Sequence, residues 1–449
     1  MKSRLLATVG GILLALSACP AGAQSIDEAL TQAYAANPQL GAARAQLRAT
    51  DEQVPQAFSG FLPTVQADAS VGRSLLETNA TNGVIVTTPR TASVTATQSV
   101  FSGFSTVRGL SRAENVVRAQ RAALQNTEQV VLLQAATAYI NVVRDQAVVD
   151  LTTNNEQVLR RQLDAARDRF RVGEITRTDV SQSESRLSRA SADRISAEGQ
   201  LNLSRATYLR AVGQPPGRLE ASVAKFELPT TVDEVLSQAR QSNPAVVAAR
   251  FSESAARDSV GQVRGQLLPQ VSVVAQGAKQ WESGSIPGNV TKSGTIVARV
   301  SMPLYEAGAI TSRVREAKQT ASQRLLEVED AIRVASQNAV QAWEALVTSR
   351  ASVLARQDQL RSAQIALEGV KQEAAVGSRT ILDTLNAEQE VLDAQVNLVR
   401  DQNSVQVASY QVMAAIGRLT AAALKLQTPI YDPTEHYKDV RHKIWGLGD

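Results

Sequence analysis

Two periodicities alternate along the chain, and each occurs twice. Between 104 and 171 apolar residues recur every three or four positions, as in Val131, Ala135, Ala138 and Val142 or Leu159, Leu163, Ala166 and Phe170. That spacing marks one face of a helix. Between 65 and 101 the period falls to two. Val65, Ala67, Ala69 and Val71 alternate with Gln66, Asp68 and Ser70, and Ala92, Val94 and Ala96 alternate with Thr91, Ser93, Thr95 and Thr97. One apolar and one polar face at period two predicts strands. Both patterns return downstream: Val271, Val273 and Ala275, then Ile296, Ala298, Val300 and Met302, then a second helical stretch over 309–376.

The recurrence is an internal duplication. "IDEALTQAYAANPQLGAAR" (26–44) matches "VDEVLSQARQSNPAVVAAR" (232–250) at an offset of 206, and "GFLPTV" (60–65) meets "QLLPQV" (266–271). Further on the offset is 204. There Tyr139 faces Trp343, and "VGEITRTDVSQSE" (172–184) faces "VGSRTILDTLNAE" (376–388). The expected organisation is a leader over 1–23, a first repeat over 24–213, a linker over 214–231, a second repeat over 232–417 and a tail over 418–449. Expected strands lie at about 63–77, 90–101, 269–282 and 293–305, joined in pairs by polar loops at 78–89 and 283–292.

Each repeat contains 125 consecutive residues without proline, from Pro89 to Pro215 and from Pro303 to Pro429. Proline costs about 3 kcal/mol inside a helix, so its absence permits long ones. Phe104–Arg171 and Ala309–Val376 each read as one helix of 68 residues, about 100 Å at 1.5 Å per residue. The shorter stretches Ile26–Phe58 and Thr178–Ala211 together match that length, as do Val232–Arg264 and Leu382–Ala415. Two short helices stacked end to end against each long one is the expected arrangement.

The N-terminus alters the picture. Lys2 and Arg4 precede the apolar run Leu5–Leu16 and the small-residue exit "SACPAGAQS", the layout of a secretory signal. Cleavage after Ala23 is preferred; the alternative is a lipidated Cys19, for which Pro20 would be an unusual neighbour. Cys19 is the only cysteine, and the only histidines, His436 and His442, lie in the tail, where they read as part of a solvated extension. No metal or cofactor site, catalytic triad or phosphate loop emerges, so an enzyme is not expected. The net charge of +4 is spread among intermixed acids and bases, which gives no argument for nucleic acid.

Four strands cannot close a barrel alone, because bacterial barrels have at least eight, of about 9–11 residues each, with an apolar side toward lipid. An exported chain with four such strands therefore points to an oligomer that pools them. A non-porous secreted scaffold or adhesin, with a sandwich patch on a helical stalk, is the other reading.

Helix, hairpin, long helix, Gly-turn-Asp and helix, given twice after a signal, resembles the TolC family of outer-membrane channel proteins. The residues that carry the likeness are "RFRVGEITRTDVSQSES" (169–185), "AAVGSRTILDTLNAEQEVLDAQ" (374–395), and the paired Asn37-Pro38/Asn243-Pro244 and Leu62-Pro63/Leu268-Pro269 sites. "VGSRT" is closest to the type I secretion branch. The resemblance implies a mainly α fold with a β-barrel part. It further implies a homotrimer with a twelve-stranded outer-membrane barrel, continued by a periplasmic α-helical barrel. Implied partners are outer-membrane lipid, a periplasmic adaptor (membrane fusion protein) and an inner-membrane ABC or RND-type transporter. The implied function is the exit channel of a tripartite system for type I protein secretion or multidrug efflux, and the cargo stays open.

Gly173 and Gly377 stand where helices end and suit a left-handed cap. Asp179 and Asp383 fall just after, near a new helix start that favours a carboxylate. Carried over from the family by position, Asp383 would contribute to an acidic ring at the periplasmic entrance. Arg379 would pair across the subunit boundary with Thr178 and Asp179 to hold that entrance shut. Two positions depart from the family: Asn386 replaces a second aspartate, and Ala374 a tyrosine. Trp281 reads equally as an interfacial belt residue or as loop packing, whereas Tyr139 and Trp343 read as packing residues.

Overall fold

The computed structural model describes residues 24–77, 84–221, 226–282 and 288–446; the leader, with its alternative exits at Cys19 and Ala23, lies outside them. In chain order the first repeat is α1 (Ile26–Ala36), α2 (Pro38–Asp51), α3 (Gln53–Phe58), β1 (Thr64–Val71), β2 (Ser74–Glu77), β3 (Val84–Thr87), β4 (Arg90–Ser102), α4 (Ser105–Arg171) and α5 (Arg177–Val212). The second is α6 (Val232–Ser242), α7 (Pro244–Gly265), β5 (Gln270–Trp281), β6 (Val290–Ser301), α8 (Ala309–Ala375) and α9 (Ile381–Ala415), and α10 (Glu435–Val440) follows in the tail. The long helices α4 and α8 have 67 residues each, one fewer than the proline-free stretches predict.

The first short helix of each repeat is not continuous, which corrects the expected 26–58 and 232–264 helices. Asn37 and Asn243 leave helical geometry at ψ 123 and 124. A residue before proline is pushed out of the α region, and each asparagine then caps the helix that its proline begins, accepting from Gln39 N at 2.9 Å or Ala245 N at 3.0 Å. The same side chains donate backward to Ala211 O (3.3 Å) and Ala415 O (3.0 Å). So α2 starts where α5 ends, and α7 starts where α9 ends. The stacks exist, but α1 and α6 lie beside the joints and the stacked pieces are shorter than α4 or α8.

The joint region carries the main core. Tyr139, Tyr208, Leu132, Leu346, Tyr410, Ile416 and Leu419 are fully or almost fully buried there, with Trp343 packed against them. The Tyr139 hydroxyl lies 2.8 Å from both Gln24 O and Glu220 O, where Gln24 bridges Leu219. The first part of the tail joins this packing, which corrects the expectation of a solvated extension for His436, whereas His442 and the rest of 441–446 are exposed. Leu419, Ala421 and Leu426 are buried, Arg121 stacks on Tyr437, and His436 Nδ1 sits 3.3 Å from Asp51 Oδ2.

β1, β4, β5 and β6 form one antiparallel sheet in that order. Its registers put Val65 beside Ala96, Ala96 beside Ala275, and Ala275 beside Ile296, so the apolar faces read from sequence fuse into one. That face is bare: Val65 is 69% exposed and Ile296 79%. β6 begins at Val290 and ends at Ser301, three residues earlier at its start and four earlier at its end than the sequence pattern predicts. β2 and β3 form a separate two-stranded ribbon inside the stretch read partly as loop. Trp281 ends β5 with Lys279 Nζ 4.5 Å from its ring. Among the described residues no helix is long and apolar enough to cross a membrane.

Candidate functional site

The two Gly-turn-Asp corners fold alike because their capping residues are alike. Gly173 and Gly377 have φ +81 and +82, a backbone that glycine adopts without strain. Gly173 N donates to Phe170 O and Glu174 N to Arg169 O; Gly377 N donates to Ala374 O and Ser378 N to Glu373 O. These are the paired bonds of a Schellman end. Three residues after each glycine a threonine caps the returning helix. Thr176 Oγ1 accepts from Asp179 N (3.3 Å) while Asp179 Oδ2 accepts from Thr176 N (2.9 Å); Thr380 and Asp383 repeat this at 3.2 and 3.0 Å. Each corner is thus a capping box, with the aspartates at its third helical position and not at the cap itself.

The corners differ in their charged neighbours. Hydrogen bonds from the Thr380 hydroxyl and then its N–H, with Arg379 beside them, hold the Asp383 carboxyl below the usual carboxylate range. Arg379 Nε donates to Glu373 Oε2 at 2.7 Å, so within one chain its partner is Glu373, not Thr178 or Asp179. Thr178 is exposed. Asn386 accepts from Arg186 Nη2 at 2.6 Å, across from α9 to α5.

Sequence reasoning marked Asn386 and the repeated position of Glu388 but not the partners through which they join the two corners, Gln162, Arg186 and Lys371. Glu388 is 7% exposed; its Oε2 accepts from Gln162 Nε2 of α4 at 2.5 Å, and its Oε1 lies 3.2 Å from Lys371 Nζ of α8. Below it Leu159, Ala190 and Leu385 are buried together, with Leu187 and Ile381 against them. One signal was present: the pair Arg167/Glu184 recurs 204 positions on as Lys371/Glu388, and Arg167 Nη2 contacts Glu184 Oε1 at 2.8 Å. Gln162 and Arg186, 226 and 200 residues from their partners, had no such signal. Among the described residues no group of three His, Cys, Asp or Glu side chains is placed to hold a metal.

The outer membrane efflux protein family model matches residues 29–214 and 235–418. The outer membrane efflux protein BepC of Brucella suis is 34% identical over 424 residues, 94% of this chain and 92% of its own. TolC of Escherichia coli is 26% identical over 432 residues, 93% of this chain and 87% of its own. The CmeC outer membrane channel of Campylobacter jejuni shares the fold at a TM-score of 0.80 and 15% identity, over 93% of this chain and 89% of that one.

Proposed function

Because the chain belongs to the outer membrane efflux protein family, and so is an outer-membrane efflux channel of the TolC type, we propose that three copies form the exit duct of a tripartite export system, gated at its periplasmic end. The observation that carries this is the open sheet. Among the described residues nothing pairs with the outer edge of β1 or of β6. A row of unpaired N–H and C=O groups has no water to satisfy it inside a bilayer, so the sheet there must close. Four strands are too few, while three copies supply twelve, within the range of such barrels. The alternating strand directions make β6 of one copy antiparallel to β1 of the next, so closure by rotation keeps the ladder regular.

The helices are open on the same two sides. α4 packs on α5, α7 and α9, and α8 on α7 and α9, which leaves α2 and α5 at one flank and α8 at the other. Leu326, Leu354 and Ile365 of α8 are 64–68% exposed, as are Ile195 (59%) and Leu203 (65%) of α5. Packing α8 on the α2/α5 flank of the next copy would cover both rows. Six corners then ring the far end, about 100 Å from the sheet.

There Asp383 supplies one carboxylate per chain and Asn386 none, so the ring is a single acidic tier that favours cations. Arg379 exchanges Glu373 for Thr178 and Asp179 of the neighbouring chain in the closed entrance. An exposed charge-assisted bond of this kind is geometrically specific yet weak enough to break. Adaptor docking with an inner-membrane transporter of the ABC or RND class breaks it. Cargo choice rests with that transporter, and the "VGSRT" corner favours type I secretion. The test is planar-bilayer conductance of the detergent-extracted protein: Arg379→Ala should raise it severalfold, and an unchanged conductance would defeat the latch.

A further inference from the structure

We propose that the cavity between α2, α4 and α7, closed on one side by the tail, binds a small oxyanion with an apolar body: an alkyl phosphate or a short fatty acid. All of its walls come from one chain, so the proposal stands whether or not three copies form the duct.

The cavity holds about 440 Å³, and Arg44, Arg118 and Arg121 line it with one carboxylate, Glu128. Arginine keeps its charge at any ordinary pH. Each guanidinium lies over aromatic rings: Arg44 is 4.7 Å from Tyr34 and 5.2 Å from Tyr431, Arg118 5.9 Å from Phe251, and Arg121 4.8 Å from Tyr437. Such stacking fixes the plane of the group without neutralising it. Arg118 has Asn115 Oδ1 at 3.1 Å and Glu114 at 3.8 Å. Arg44 donates only to a backbone carbonyl, Tyr34 O at 3.3 Å, and Arg121 Nε and Nη2 are buried with no acceptor. The acids whose charge reaches these two arginines are engaged elsewhere. Glu128 accepts from Ala421 N at 2.7 Å and burial pushes its carboxyl up. Asp432 accepts from Thr434 N and Oγ1 at 2.7 Å each, and Asp51 Oδ2 has His436 at 3.3 Å while its Oδ1 is buried without a partner. A buried charge left without a counter-charge is costly, and an oxyanion in the cavity supplies what the chain withholds. Leu40, Leu124, Val247, Phe251 and Ile430 complete the lining, which is a wall for alkyl groups. Apolar walls with a few convergent polar groups are the usual make-up of a small-molecule site.

The duplication separates what the scaffold needs from what the cavity adds. Arg250 stands 206 positions after Arg44 and donates to Arg240 O at 3.2 Å, as Arg44 does to Tyr34 O, so both repeats use this arginine to join their first two helices. Arg118 and Arg121 have Ser322 and Leu325 as counterparts 204 positions on, and Tyr34 has Arg240. The second repeat folds in the same way without the cluster, so the fold does not require those two arginines. Arg118–Glu128 lies about 20–35 Å along α4 from its start beside the sheet, at 1.5 Å per residue. That depth is beyond the reach of acyl chains still seated in the bilayer, whose whole hydrocarbon core is about 30 Å thick. The ligand is therefore free in the periplasm.

Isothermal titration calorimetry of the full-length protein in a neutral maltoside detergent tests this. The probes are hexyl phosphate and hexanoate, with hexanol (no charged head) and inorganic phosphate (no apolar body) as comparisons. At least one of the first two should bind saturably, one per chain, and the tighter of them identifies the head group. Hexanol and inorganic phosphate should bind at least about tenfold more weakly, because each meets only half of the site. Arg121→Gln should weaken binding by about tenfold or more through the lost charge. Val247→Trp should do the same by filling the cavity from α7, with the arginines and the tail contacts left in place, so it decides the matter if Arg121→Gln loosens the tail. Arg250→Gln, at the equivalent place in the second repeat, should leave the affinity within about twofold. No saturable binding of either anion, hexanol binding as tightly as the anions, or unchanged affinity in Val247→Trp or in a folded Arg121→Gln overturns the proposal, and the arginines then serve only to hold the tail.

Discussion

Truncating Leu385 measures how firmly the inner hairpin is held. Its side chain is 2% exposed, enclosed by Leu159 and Ala190 with Leu187 and Ile381 around them. Leu→Ala removes the burial free energy of its methyl and methylene groups and leaves a cavity, together about 3 kcal/mol within the usual span for core leucines. The corner is short and ends at the glycine turn, so the loss should appear as local opening more than as global unfolding. At about 1.4 kcal/mol per factor of ten, amide hydrogen exchange over 381–392 should accelerate roughly a hundredfold. Leu382, three residues earlier on the same helix and 37% exposed, is the control; Leu382→Ala should change the same amides by about twofold, the effect of a surface substitution. Equal acceleration by the two variants, or less than about threefold for Leu385→Ala, would show that the cluster does not hold the corner.

Other consequences are as direct. Asp383→Ala should lower cation over anion selectivity in bilayer reversal potentials, because Asn386 offers no second charge; unchanged selectivity would remove Asp383 from the conducting path. The Asp383 carboxyl is held below its usual range by the Thr380 hydroxyl and N–H. Its contribution to the corner is therefore complete above the ordinary carboxylate pKa of about 4 and is lost as pH falls through the depressed value. Protease nicking near Gly377 should accordingly stay constant from neutral pH down to about 4 and rise only below it. Tyr139→Phe should lower stability by about 1–2 kcal/mol, read from denaturant midpoints, since two carbonyls at 2.8 Å share its one hydroxyl. Burial pushes that hydroxyl's pKa up to about 12, so the effect should not vary between pH 6 and about 9.

Much of this architecture was legible in the sequence, and the reasons differ by element. Phe104–Arg171 and Ala309–Val376 were readable to within one residue because helix length there is limited only by proline, glycine and caps, all local signals. The fused apolar face of the sheet follows from period two once the registers align. What stayed hidden depends on chain segments meeting at a distance. Asn37 and Asn243 break their helices where the helical apolar pattern runs on, because the residue before proline is excluded from helical geometry and the asparagine side chain reaches back to α5 or α9. His436 looked solvated because nothing near it in sequence announces Asp51, 385 residues away. At the corners the aspartates near a helix start were readable as a local pattern, but the capping role belongs to Thr176 and Thr380, one turn earlier. Gln162 and Arg186, and the pairing of Gln162 with Glu388, were not readable, since that pairing depends on how α4, α5 and α9 wind around one another.

The central claim is that the open four-stranded sheet is one third of a closed barrel. Native mass spectrometry of the protein extracted in detergent from the outer-membrane fraction tests it most directly. The account predicts three copies that separate only on denaturation. A monomer, a dimer, or a chain released from the cell envelope without detergent would contradict it.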